Sequence, residues 1–125
     1  MNQTKKLVEA VVKGIQEKKG KKITMVDLTQ LSGAICEYMI ICEGNSLNQL
    51  SSLSDSVWEV VRVGTGERLL SMDGDRHSPW IGMDYGNVLV HIFLPEQRSF
   101  YDLEHLWADS QVTEIPDPEY PFAGQ

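Results

Sequence analysis

The run Tyr38-Met39-Ile40-Ile41-Cys42 is unbroken by any polar residue and is closed at both ends by an acid, Glu37 and Glu43. A continuous apolar stretch of this length has no wet face. It predicts a strand buried on both sides rather than one helix face. Such a strand must have a layer above it and a layer below it. A chain of 125 residues, 42% apolar, can supply that once, without disulfides or a structural metal. One α/β domain is therefore expected.

The flanking patterns fit. Leu7, Val8, Val11, Val12 and Ile15 recur at helical spacing, predicting an amphipathic helix over 3–18 with lysines on its outer face and a stop at Gly20. Ile23–Leu28 reads as a strand, and Thr29–Ala34, with Ser32-Gly33, as a turn-rich connection. After Gly44-Asn45, the sequence Ser46-Leu47-Asn48-Gln49 matches a capping box for a helix over 46–62 that Gly64 and Gly66 end. Arg68–Met72 predicts a short strand. Trp80–Asp84 and Val88–Leu94 predict a hairpin joined by Tyr85-Gly86-Asn87. Ser99–Asp102 is a second capping candidate, opening a helix that carries Phe100, Leu103, Leu106 and Trp107. The sum is a single mixed sheet of about five strands flanked by helices, over residues 1–110. Residues 111–125, acidic and carrying Pro116, Pro118 and Pro121, read as a tail without structure of its own.

Charge divides the chain. Residues 1–22 hold all seven lysines against Glu9 and Glu17, +7 − 2 = +5; residues 23–125 hold four arginines against sixteen acids, 4 − 16 = −12, which sum to the overall −7. An acidic body argues against docking directly on exposed nucleic acid, sequence-specific binding included, and suits a basic protein partner. No stretch has the length of a membrane span, and residues 1–22 lack a signal peptide's apolar run. Cys36 and Cys42 lie too far apart along one extended strand to bridge. A cytoplasmic, reduced protein that does not meet membranes is the expectation.

Catalytic chemistry is sparsely marked. Phosphate-loop and repeated-glycine dinucleotide motifs are absent. Gly44-Asn45-Ser46, between strand and helix, is similar to the Gly-Ser entry of nucleotidyltransferases, and Asp73 with Asp75 could be read as a metal pair. The plainer readings are a helix cap and a solvated turn. His77, His91 and His105 show no ligand spacing with the cysteines. No cofactor and no metal are expected. The segment that invites a functional reading is Trp80-Ile81-Gly82-Met83-Asp84-Tyr85-Gly86, whose residue types suit the centre of a protein interface or, equally, the cap of a core. His91 shares a face with Leu89 and Phe93 and stays open between structural and contact roles.

Trp80 to Phe93 (WIGMDYGNVLVHIF) resembles the "W-x-L-x-D-Y-G-D-V-V-V-H-I-F" core of the ribosomal silencing factor (Iojap-like) family. Arg98 to Asp109 (RSFYDLEHLWAD) is similar to the family's "R-x-F-Y-x-L-E-x-L-W-x-D-A", and Tyr38 to Ser46 (YMIICEGNS) resembles "D-Y-F-V-I-A-S-G-N-S". The motifs fall in family order over roughly residues 5–110. The resemblance implies a nucleotidyltransferase-like fold lacking catalytic residues. It implies a non-enzymatic factor that binds the large ribosomal subunit through a ribosomal protein at the subunit interface, blocks joining of the small subunit and damps translation. It also implies possible homodimers. Carried over residue by residue, the contact set is Trp80, Ile81, Met83, Asp84, Tyr85 and Gly86, with His91 as its further candidate. Glu37, Asn48 and the Ile81-Gly82-Met83 triplet depart from the family pattern; Asn48, where an Arg commonly stands, weakens any anion site at that helix start. The alternatives are a nucleotide-binding or nucleotidyl-transferring enzyme using Gly44–Ser46 with Asp73 and Asp75, and a ribosome assembly adaptor.

Overall fold

A computed structural model describes residues 3–31, 33–101 and 111–116. Its elements run α1 (Gln3–Glu17), β1 (Lys21–Asp27), β2 (Tyr38–Glu43), α2 (Leu47–Thr65), β3 (Ser71–Asp73), β4 (Trp80–Asp84), β5 (Val88–Phe93), α3 (Pro95–Tyr101) and β6 (Gln111–Ile115). The strands form one mixed sheet in the order β3-β4-β5-β2-β1-β6. β2 and β5 are parallel, and the other described neighbours are antiparallel.

All six residues of β2 are buried, as its unbroken apolar run predicts. Helices α1 and α2 cover one face of the sheet. Leu7, Val11 and Ile15 from α1 meet Leu50, Leu53, Val57 and Val61 from α2 over Ile40, Cys42, Val88, Val90 and Ile92. Each such side chain is worth roughly 1.5–3 kcal/mol when fully buried. The two helices approach closely at Gly14, where a Cβ would lie 2.7 Å from Val57 Cα, and Ser56 Oγ donates to the Gly14 carbonyl at 2.7 Å. The other face carries a smaller cluster. There the Leu28–Cys36 connection folds over Val26, Met39, Ile41 and Phe93. Cys42 and Cys36 therefore belong to opposite faces, both as free thiols, and full burial pushes the Cys42 thiol up to about 12.

Ser46 caps α2 by accepting from the Gln49 amide at 3.1 Å. Gln49 completes the box one residue earlier than expected, accepting from Asn45 N rather than Ser46 N. Its Nε2 also donates to the carbonyls of Lys18 and Lys19, tying the start of α2 to the end of α1. Helix α2 runs through Gly64 to a left-handed Gly66, whose N–H bonds the Arg62 carbonyl. It returns the chain to the far edge of the sheet. There β3 spans Ser71–Asp73 instead of 68–72, limited by its short partner stretch on β4.

Two expectations need correction. Residues 111–115 are not an unstructured tail: they form β6, paired antiparallel with β1 from Ile23↔Ile115 to Asp27↔Gln111. β1 has an edge to fill, and Val112 and Ile115 give the segment strand character that its acids and prolines mask. The third helix starts at Pro95, not Ser99, because proline is pre-set for a first helical turn. The expected helix residues Leu103, Leu106 and Trp107, and residues 117–125, lie outside the described residues.

Arg98, on α3, reaches across the end of the sheet. Its guanidinium donates to the Lys22 carbonyl, to Thr24 Oγ1 at 2.7 Å and to Glu43 Oε2 at 3.3 Å. Both members of the ion pair are buried. Removing one partner strands the other charge out of water, which costs about 3–5 kcal/mol. Arg98→Ala is expected to lower unfolding free energy by that order in urea titration. A loss under 1 kcal/mol would show that water reaches Glu43.

Candidate partner-docking site

Strand β4 alternates in burial. Its pairing with β5 places Trp80 opposite Phe93, Gly82 opposite His91 and Asp84 opposite Leu89. Trp80, Gly82 and Asp84 thus share the face that α1 and α2 leave uncovered. Ile81 and Met83 point the other way and are 2% and 1% exposed within the helix-side core. Tyr85 is also in that core. This narrows the candidate contacts: the side chains of Ile81, Met83 and Tyr85 are packed against the chain's own helices. Trp80, Asp84 and His91 are half-buried and Gly86 is exposed.

Two half-buried rings, Trp80 and His91, lie at the centre of that face over a third, Phe93, which is fully buried. Trp80 stacks on Phe93 at 5.4 Å between centroids, and His91 on Phe93 at 6.0 Å. Trp80 Nε1 donates to His91 Nδ1 at 3.0 Å. An acceptor Nδ1 carries no proton, so the bond fixes the neutral imidazole with its hydrogen on Nε2. Burial pulls the His91 pKa from 6.5 to about 4, with the charge of Asp73 opposing. Gly82 leaves the rings uncrowded, since even a Cβ there would lie 3.8 Å from His91 Nδ1. Asp73, paired with Gly82 across β3–β4, and Asp84 set carboxylates beside the rings. Sequence spacing gives Leu89 as a face-mate of His91 and offers Asp73 only as half of a possible metal pair, not as a neighbour of this face. The β3–β4 register that brings Asp73 in had no local signal, whereas Leu89 follows from the two-residue period through His91.

The hairpin tip is held rather than loose. Asp84 Oδ1 accepts from Gly86 N at 2.7 Å, and Gly86 adopts φ 89. Asn87 Nδ2 donates to Thr4 Oγ1, which donates to Glu37 Oε2, linking the hairpin to α1 and to the approach of β2. The Tyr85 hydroxyl is buried with no hydrogen-bond partner among the described residues, and burial pushes its pKa up to about 12.

In the alternative enzyme site, Ser46 and Asp75 have structural roles, one as a helix cap and one in a turn. Ser46 caps α2. Asp75 accepts from His77 N and from Ser78 Oγ, the first of these contributing most to holding its carboxyl below the usual range. His77 lies on that same exposed loop; His105 lies outside the described residues. Among the described residues, no three His, Cys, Asp or Glu side chains group as metal ligands, and no helix is long and apolar enough to cross a membrane.

Two outcomes are expected. Tyr85→Phe removes an unpartnered buried hydroxyl and should raise stability by about 1 kcal/mol; a loss of similar size would mean the hydroxyl has a partner in solution. His91 binds its proton less readily folded than unfolded, so its contribution is full above about pH 6.5 and fades as pH falls toward 4. Denaturant unfolding across that window should fall more steeply for the wild type than for His91→Gln. Parallel curves would rule this titration out.

Comparison with known proteins adds the lineage. The family model described as "Ribosomal silencing factor during starvation" matches residues 1–123. The chain is 29% identical over 115 residues to the ribosomal silencing factor of Bacillus subtilis, covering 92% of this chain and 95% of that one. It is 33% identical over 102 residues to the ribosomal silencing factor of Haemophilus influenzae, covering 82% and 98%. A crystal structure of a Chromobacterium violaceum protein superposes with a TM-score of 0.76 at 28% identity, covering 97% of this chain and 93% of that one. The motifs at β2, at β4–β5 and around Arg98 thus sit within a match over nearly the whole sequence, and the chain belongs to the ribosomal silencing factor family.

Proposed function

We infer that this chain is a translation repressor of the cytoplasm, acting as its relatives' names describe, and that it docks on the large ribosomal subunit through the β4–β5 face. Bound at the subunit interface through a ribosomal protein, it would obstruct the small subunit by its bulk, with no reaction catalysed. One observation carries this reading. Trp80 and His91 stand half-buried over the fully buried ring of Phe93 on the face opposite α1 and α2, with Asp73 and Asp84 near them. A flat apolar centre edged by carboxylates suits a basic protein surface, where apolar contact gives affinity and charge speeds encounter. The nucleotidyltransferase-like ancestry of the sheet belongs to the same proposal, supported by the Gly44–Ser46 entry into α2.

Co-sedimentation with purified large subunits tests it. Trp80→Ala should weaken binding by about 30-fold or more, the scale of a central aromatic contact. Asp73→Lys, on the rim, should mainly slow association. Tyr85→Phe serves as the buried control and should bind normally. Wild-type binding that survives Trp80→Ala intact would refute the surface, and no binding to large subunits would refute the reading. Accumulation of immature particles, in place of free mature subunits, on depletion would favour an assembly adaptor.

A further inference from the structure

A hydrogen bond inside the protein decides what His91 can offer outside it. An indole N–H only donates, so the 3.0 Å bond from Trp80 Nε1 makes His91 Nδ1 an acceptor and leaves the nitrogen-bound hydrogen on Nε2. Protonating Nδ1 would break that bond. While Trp80 lies against it, the imidazole presents a donor at Nε2. This donor is unused: Nε2 has no acceptor among the described residues. The Tyr85 hydroxyl is the one fully enclosed side-chain polar atom without a partner among them, so Nε2 reaches solvent.

The surroundings leave the ring approachable. One row across the sheet runs Asp73, Gly82, His91 and Ile41. Ile41 is fully buried, and Gly82 has no side chain to cover the ring: even a Cβ there would come no closer than 3.8 Å, at Nδ1. Asp73 stands two strand spacings away, about 10 Å between backbones. It acts on the imidazole through its charge and makes no hydrogen bond to it. A partner that covers Trp80 also displaces water from Nε2. A donor left unmet in this way weakens binding, so the partner must bring an oxygen there. Asp73 and Asp84 lie near, in a body of 4 − 16 = −12 over residues 23–125. They repel a carboxylate and tolerate a neutral carbonyl.

We propose that His91 is the directional contact of the docking face, its Nε2–H donating to an amide carbonyl oxygen of the basic protein seated on Trp80. This rests on the reading of the β4–β5 face as the docking surface. Trp80 then acts twice, as an apolar contact and as the group that sets the His91 tautomer. The contact also discriminates. A lysine or arginine head brought to this spot would set donor against donor, so a basic partner is held in the one placement that puts a carbonyl there.

Two substitutions separate the ring's two nitrogens. Asparagine Oδ1 stands as many bonds from Cα as histidine Nδ1, so His91→Asn keeps an acceptor for Trp80 and loses the outer donor. Glutamine Nε2 stands as many bonds from Cα as histidine Nε2, so His91→Gln keeps the outer donor and loses the inner acceptor. In co-sedimentation with purified large subunits, His91→Gln should bind more tightly than His91→Asn by about fivefold or more, the scale of one hydrogen bond to a carbonyl otherwise left unmet. Equal affinities, or tighter binding by His91→Asn, overturn the contact, reduce His91 to a support for Trp80 and leave the docking face standing. A wild type that does not bind large subunits overturns the docking reading and this contact with it. Asp73→Asn checks the acceptor: weaker or unchanged binding agrees with a neutral carbonyl, and tighter binding overturns it in favour of a carboxylate. Nitrogen-15 shifts of the free protein read the tautomer without a partner. His91 should carry its hydrogen on Nε2, and Trp80→Phe should release the Nδ1–H form. A wild-type His91 protonated at Nδ1 overturns the proposal whatever the variants do.

Discussion

Everything in this molecule answers to a strand that has no dry alternative. β2 is covered on both faces and bonded on both edges, by β1 on one side and β5 on the other. Its parallel pairing with β5 cannot be made by a tight turn. The intervening chain must travel, and it does so as α2, β3 and β4. That journey supplies the helix layer for one face and leaves the other to a short connection over Val26, Met39 and Ile41. The unequal cover is what allows Trp80 and His91 to stand half-exposed beside a closed core.

The polar groups at the margins of β2 follow the same logic. Glu43 ends the strand inside the protein and is met by Arg98, which also occupies Thr24 and the Lys22 carbonyl. At the other end, Glu37 accepts from Thr4, which accepts from Asn87. Each polar network ties an end of β2 to elements far apart in sequence. The aromatic face adjoins one of them, because Phe93 and Trp80 lie in the same row as Glu43.

Much of this was legible in the residues. The apolar run of β2, the helical spacing of α1, the Ser46 cap and the bounds of β4 follow from local pattern alone. So does the division of Trp80 and Asp84 from Ile81 and Met83, once the two-residue period of a strand is applied to the whole segment instead of carrying it over as one contact block. Other features depend on long-range pairing. β6 has only Val112 and Ile115 to announce it, and its partner lies 92 positions earlier, from Ile23 to Ile115. Lys19 and Lys22 hold left-handed backbone, at φ 62 and φ 51, and their carbonyls accept from Gln49 and Arg98, residues whose reach no spacing rule reports. The Ser46 cap is readable, but the bonds from the Gln49 side chain to the Lys18 and Lys19 carbonyls are not.

The sheet's two outer strands have a bearing on how copies of this protein behave in a crowded cell. β3 offers only three residues and leads directly into Asp73-Gly74-Asp75, while β6 carries Glu114 and stops at Pro116. Neither margin presents a long, flat, uncharged ladder of free amides and carbonyls, the template through which sheets grow into aggregates. A second chain that tried to extend this sheet would gain a few hydrogen bonds against carboxylates at one border and a proline at the other. Association is thereby steered away from the edges and onto the faces, where side chains, not backbone, choose the company.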